Sequence, residues 1–258
     1  MRIALHVVSE VGRRAGRVLL AERALTALGL YGQEGGPTEE RRTMAVKELV
    51  GFDLLVTDAI EDASAFATRA ADEGIPCVLS VDKVSREVVD RFAALDLTLL
   101  VGSNLAGLAD SLARHEQALT DSDRSITLAW TEPGRARRRG EAVPFPDPVG
   151  ARWGRRLRRS GRAADPLPTS RIVVPLGGPW AGAMAKVEGG VGGIAVTRVV
   201  GVADHREHLE AVALAAGAVS VIGGAFGPGR QSPGDAADAY LSTALALGMD
   251  VATYTLAG

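Results

Sequence analysis

The sequence predicts an α/β protein, with a parallel sheet flanked by helices followed by a smaller α+β part. Three observations carry this. Short apolar runs alternate with segments of helical periodicity from the N-terminus to about residue 120. Glycine, proline and small polar residues punctuate each change of period. From Ser125 onward the texture shifts to longer strand-like runs and two helices, with an arginine- and proline-rich stretch between. The expected division is 1–120 for the first domain and 121–258 for the second. The excursion spans 132–170, and the C-terminal helices pack back on the first domain.

The opening stretch sets the pattern. The apolar run Ile3 to Val8 stops at Ser9 and Glu10, and Gly12 and Gly16 follow. Val18, Leu19, Ala21, Leu25 and Leu28 then recur at helical spacing. This is a strand, a glycine-punctuated turn and an amphipathic helix. Gly29 to Gly32 reads as a second strand, and the polar QEGGPTEERR as a loop. Met44 to Val50 is expected to be a short helix, and Phe52 to Asp58 a strand. A helix follows over Asp62 to Glu73, closed by Gly74 and Pro76. Strand Cys77 to Val81, helix Ser85 to Ala94, strand Leu97 to Val101 and a helix from Leu105 to Gln117 continue the alternation. Beyond it, strands are expected at Ser125 to Thr131, Arg171 to Pro175, Ala183 to Glu188 and Ile194 to Val202. The turn Gly189 to Gly193 pairs the last two antiparallel. Helices at about 205–218 and 236–247 and a strand at 250–255 complete the chain.

Composition bounds the function. The chain has 258 residues, 47% of them apolar, enough for a sizeable core. No apolar run is long enough to span a bilayer, and the N-terminus enters a strand without a signal peptide. With the lone Cys77 in a buried strand, a cytoplasmic protein is expected. Net charge is −2, yet ten arginines face only Glu141 and Asp147 between Arg135 and Arg162. That segment is expected to be an anion-binding or oligomer-contacting loop stiffened by Pro144 to Gly150. Nucleic acid is not the expected partner, because aromatics interleave too sparsely for base stacking. No nucleophile elbow or P-loop is present. His6 reads as a core residue, His115 as a helix-end cation, and His205 and His208 as part of a polar cluster at a helix start; no metal site is expected.

The stretches VVSEVGRRAGRVLLAE, FDLLVTDAIEDAS and GIPCVLSVDK resemble the Rossmann-type nicotinamide-binding domain of dihydrodipicolinate reductases and the saccharopine dehydrogenase-like reductases. The resemblance covers residues 1–115 and fades beyond them. It implies a cofactor, with NADP preferred to NAD because the first turn is basic. It places Gly12, Arg13, Arg14, Gly16 and Arg17 at the phosphates and Ala59 near the ring. Gly12 and Gly16 then match the second and third glycines of the family turn, and Glu10 stands in the place of the first. The ribose-binding acid is absent at Tyr31-Gly32-Gln33, with Glu34 as a stand-in.

At the strand ends the resemblance assigns Lys83 as a proton donor or carboxylate partner, and Asp58 to the catalytic centre. Capping by its side-chain oxygens is the other reading of Asp58, and the expected job of Asp62. Ser103 and Asn104 would face substrate. The implied activity is hydride transfer between NAD(P) and a small amino- or keto-acid-type substrate. The alternative is a catalytically silent Rossmann-fold protein that binds another ligand or acts as an assembly module. A homodimer is compatible with the strand pair around Gly189 to Gly193.

Overall fold

The computed structural model describes residues 1–32, 42–134, 140–157 and 169–257. The first sheet contains β1 (Arg2–His6), β2 (Ala27–Tyr31), β3 (Thr43–Val46), β4 (Leu54–Thr57), β5 (Cys77–Leu79) and β6 (Thr98–Leu100). The late strand β13 (Gly229–Gln231) joins at one edge, and the order is β13-β6-β5-β4-β1-β2-β3. Every pairing in this sheet is parallel. β1 lies between β2 and β4, so the strand order reverses there. That is the switch point, where the open crevice of a doubly wound sheet falls.

Helices α1 (Glu10–Ala21), α2 (Ala63–Asp72), α3 (Arg86–Ala94) and α4 (Leu105–Gln117) connect and cover these strands. Ser9 starts α1, its hydroxyl accepting the Val11 N–H at 3.1 Å. Ala15, Gly16 and Leu19 form the buried stripe. At Gly16 a Cβ would lie 3.2 Å from Leu5 and 3.5 Å from Leu28, so the glycine seats the helix close on β1 and β2. α3 and α4 are capped by Ser85 and Asn104, the second through both the Ala106 and Gly107 amides.

The second sheet is mixed. It contains β7 (Ser122–Glu132), β8 (Glu141–Pro144), β9 (Ala151–Arg156), β10 (Thr169–Pro175), β11 (Trp180–Val191), β12 (Ile194–His205) and β14 (Ala252–Ala257). Its order is β14-β12-β11-β7-β10-β9-β8. Only β7 and β10 run parallel among its pairings. Helices α5 (Arg206–Ile222) and α6 (Ala237–Ala246) follow the β11–β12 hairpin. α5 is apolar nearly all round because it is enclosed: it touches α1, the strand ends of β4 to β6, and β11 and β12.

One core therefore runs between the two sheets, from Ile3, Leu5 and Leu19 through Leu108, Leu112 and Leu214 to Leu128, Trp130 and Ala183. A second core, with Leu55, Phe92 and Leu99, lies under α2 and α3. A third, with Phe145, Val149 and Met184, covers the outer face of the second sheet. Arg198 on β12 ion-pairs with the buried Glu116 of α4, tying helix to sheet.

The segment expected as a helix over Met44 to Val50 is instead the edge strand β3 over Thr43–Val46, in parallel register with Leu28 to Tyr31. The free edge of β2 offers backbone partners that a four-residue apolar pattern cannot announce. In the arginine- and proline-rich excursion, residues 141–144 and 151–156 are strands β8 and β9, paired antiparallel. Asp62 stands at the N-cap of α2 but makes no side-chain capping bond. Glu34, Arg135 to Arg139, Arg158, Arg159 and Arg162 lie outside the described residues.

Candidate functional site

The carboxyl ends of β1, β4 and β5 open into a cleft of about 930 Å³, closed on its far side by Arg206 and Glu210 of α5. The wall begins at the β1–α1 turn. α1 starts at Glu10, so the turn is Val7-Val8-Ser9 and contains no glycine. Gly12 sits in the first helical turn, and Gly16 one turn later faces the sheet. The glycine slots expected at residues 10, 12 and 16 thus fall inside the helix and not in the turn, because α1 begins earlier than glycine spacing suggests. Glu10 points away from the cleft. It pairs with Arg13 at 2.8 Å and Arg14 at 3.7 Å on the helix surface, and the Arg13 guanidinium holds its carboxyl below the usual carboxylate range. Neither Gly12 and Gly16 nor Arg13, Arg14 and Arg17 line the cleft.

What fills the turn is Asp58. Its carboxylate accepts the Val8 N–H at 2.7 Å, the Ser9 N–H at 2.8 Å, the Ser9 hydroxyl at 2.6 Å and the Gly12 N–H at 3.0 Å. Asp58 is only 7% exposed, and a Cβ on Gly12 would fall 2.8 Å from its Oδ2. Neither the catalytic nor the next-turn capping assignment of Asp58 describes this geometry; it caps the N-terminus of α1 from the neighbouring strand.

Next to it, the buried Thr57 hydroxyl accepts the Ala59 N–H at 3.0 Å and lies 3.0 Å from His6 Nδ1. His6 is not a core residue as its strand suggested. It ends β1 on the cleft wall, stacked on Phe66 with ring centroids 3.9 Å apart. Burial pulls its imidazole below the usual histidine value, opposed by the negative charges of Asp58 and Asp62.

Of the residues expected at substrate, Lys83 is exposed at the cleft and makes no ion pair among the described residues. Asn104 is committed at both ends: Oδ1 caps α4, and Nδ2 donates to the Ser80 carbonyl at 2.6 Å and to Asp82 at 3.1 Å. Ser103 is buried and donates to the Ala213 carbonyl at 2.8 Å, a bond that fastens α5. The cleft therefore gathers Asp58, Ala59, Lys83, Ser103 and Asn104, and adds His6, Val8, Ile60, Phe66, Arg206 and Glu210. His6 carried one usable signal, its place at a strand's carboxyl end; Glu210 showed only as a member of the polar cluster at a helix start, and Arg206 carried none. His205 and His208 pair with Glu207 at 2.5 Å and Asp204 at 3.7 Å. Among the described residues no group of three or more His, Cys, Asp or Glu could hold a metal, and no helix is long and apolar enough to cross a membrane.

A doubly wound parallel sheet with a crevice at its switch point, backed by a second mixed sheet, is the Rossmann-type α/β fold of the dehydrogenases. Solved structures agree. The homospermidine synthase of Legionella pneumophila, in complex with NAD, matches with a TM-score of 0.61 at 9% identity, over 99% of this chain and 91% of that one. The amine dehydrogenase of Mycobacterium smegmatis gives 0.57 at 11%, over 92% and 95%. The DAP dehydrogenase of C. glutamicum gives 0.54 at 13%, over 90% and 92%. At these identities the likeness is one of fold. No family model matches the sequence, and no curated protein matches it.

The fold implies a dinucleotide, and the turn decides whether one fits. In this architecture the pyrophosphate is held by amides of the β1–α1 turn and the start of α1. Here the Val8, Ser9 and Gly12 amides already point at a carboxylate, and the Val11 amide bonds the Ser9 hydroxyl. A phosphate in this place would meet Asp58 at contact distance, and the three amides that converge there are already taken by its carboxylate. The residues present do not fit a dinucleotide bound in this way.

Proposed function

We propose that this chain is a ligand-binding protein on the dehydrogenase fold that does not use a nicotinamide dinucleotide. Its cleft takes a small molecule directly from the strand ends. The observation that carries this reading is the Asp58 carboxylate with its four donors. Charge supports it. The wall sets five carboxylates (Asp58, Glu61, Asp62, Asp82 and Glu210) against two cations, Lys83 and Arg206, and Arg206 is already paired with Glu210 at 3.0 Å. Such a wall repels a ligand carrying two phosphates. Titration of the protein with NADPH and NADH, followed by nicotinamide fluorescence, tests it: no saturable change up to millimolar cofactor is expected, and saturation by either would refute it.

The second reading is an NAD(P)-dependent oxidoreductase acting on a small amino- or keto-acid-type substrate, akin to the dihydrodipicolinate and saccharopine dehydrogenase-like reductases. Lys83 favours it, as a cation with no ion pair among the described residues, at the end of β5 where a substrate carboxylate or a proton donor is wanted. The NAD bound to the Legionella pneumophila synthase of the same fold supports it too. Cofactor-dependent turnover that is lost in Lys83→Ala would establish it.

A further inference from the structure

We propose that Asp58 is a resident anion, standing where the fold otherwise receives a ligand's phosphate, and that it converts that site into a clasp between the β1–α1 turn and β4. The inference rests on the reading above and adds what the carboxylate does. The N-terminus of α1 offers unpaired amides and the positive end of a helix dipole, a combination that attracts an anion whatever its source. The chain supplies its own, from the strand next to β1 at the switch point.

The fit is specific. Three backbone amides and one hydroxyl converge on the two carboxylate oxygens within 3.0 Å, distances typical of bonds to an ionised acceptor. Oδ2 alone takes three of the four. The site is cut to this occupant, because the three atoms nearest a Cβ on Gly12 all belong to the Asp58 carboxylate. Among the described residues no lysine or arginine pairs with it: Arg13 and Arg14 pair with Glu10, and neither lines the cleft. The negative charge is balanced by backbone dipoles, as a bound anion's would be. Asp58 is thus a positioning residue that fixes the turn and the start of α1.

A clasp built on a carboxylate can be replaced by a free one. In Asp58→Ala the amides lose their acceptor and a space opens that matches formate. The variant is expected to melt roughly 6–12 °C below the wild type in sodium chloride. Sodium formate at equal ionic strength is expected to recover at least half of that loss, in a saturable manner, while leaving the wild type unmoved. A variant that melts like the wild type, or one that formate helps no more than chloride does, overturns the clasp. If Asp58→Ala does not fold in chloride, the same comparison is made on refolding yield: a higher yield in formate supports the proposal, and equal yields overturn it. Saturable NADPH binding by the wild type would refute the functional reading whatever formate does. Failed rescue in a protein silent to NADPH would remove the clasp alone.

Discussion

Replacing Gly12 by alanine sets two effects of opposite sign against each other in the first turn of α1. Alanine is the better helix former by about 1 kcal/mol, which alone would stabilise the protein. Its Cβ, however, would lie 2.8, 2.9 and 3.0 Å from atoms of the Asp58 carboxylate. A clash of this kind in a packed site costs about 1–3 kcal/mol, and moving the carboxylate weakens hydrogen bonds to an ionised acceptor worth roughly 1.5–3 kcal/mol each. Those losses overlap, and water from the cleft recovers part of them. The sterics win, and a net destabilisation of about 2 kcal/mol is expected, or roughly 4–8 °C in Tm for a chain of this size. In an Asp58→Ala background the obstacle is gone, and the same substitution should stabilise by about 1 kcal/mol. Urea denaturation of the wild type, both single variants and the double variant gives a cycle with a coupling of about 3 kcal/mol. If Gly12→Ala stabilises the wild type, or the coupling falls within about 0.5 kcal/mol of zero, the carboxylate does not sit against Gly12 and the reading of the turn is wrong.

Three further expectations follow from other parts of the molecule. Glu116→Ala strands the half-buried Arg198 guanidinium between α4 and β12 and should cost about 2–3 kcal/mol by urea denaturation, where a surface pair would cost under about 1; a loss below about 0.5 kcal/mol would show that the pair does not tie helix to sheet. Cys77 is fully buried and burial pushes its thiol far up, so the folded protein should not react with a thiol reagent at mildly alkaline pH until it unfolds; prompt labelling would contradict the buried strand. His6 has a folded pKa below its unfolded value, so protonation favours the unfolded chain and stability falls as pH drops below about 6.5 toward the folded pKa. His6→Gln should flatten that part of the stability–pH curve, and an imidazole NMR titration with a midpoint at or above about 6.5 would refute the assignment.

The alternation of strands and helices was legible because the central strands of the first sheet have continuous apolar centres, Ile3 to Leu5, Leu54 to Val56 and Cys77 to Leu79, and the covering helices keep a 3.6-residue period. β3 was not, since Thr43 to Val46 is too short to show a period and is defined by the edge of β2. Glycine spacing places the turn too late, since α1 already begins at Glu10. Ser9 followed by Glu10 is an N-cap with an acid in the first turn, and that local signal marks where α1 begins. The occupant of the turn was invisible for a different reason. Asp58 lies about fifty residues along the chain from the amides it binds, and only the β1–β4 pairing brings them together. Ser103 and Asn104 illustrate the same limit: their place at a strand end was readable, but the α5 carbonyl and the Asp82 carboxylate that consume them were not.

The central claim, that the amides at the start of α1 serve the chain's own carboxylate instead of a cofactor phosphate, meets its most direct test in equilibrium titration of the wild-type protein with NADPH and NADH. A flat nicotinamide fluorescence up to millimolar cofactor is expected. A saturable change with either cofactor, abolished by excess of its oxidised form, would contradict it.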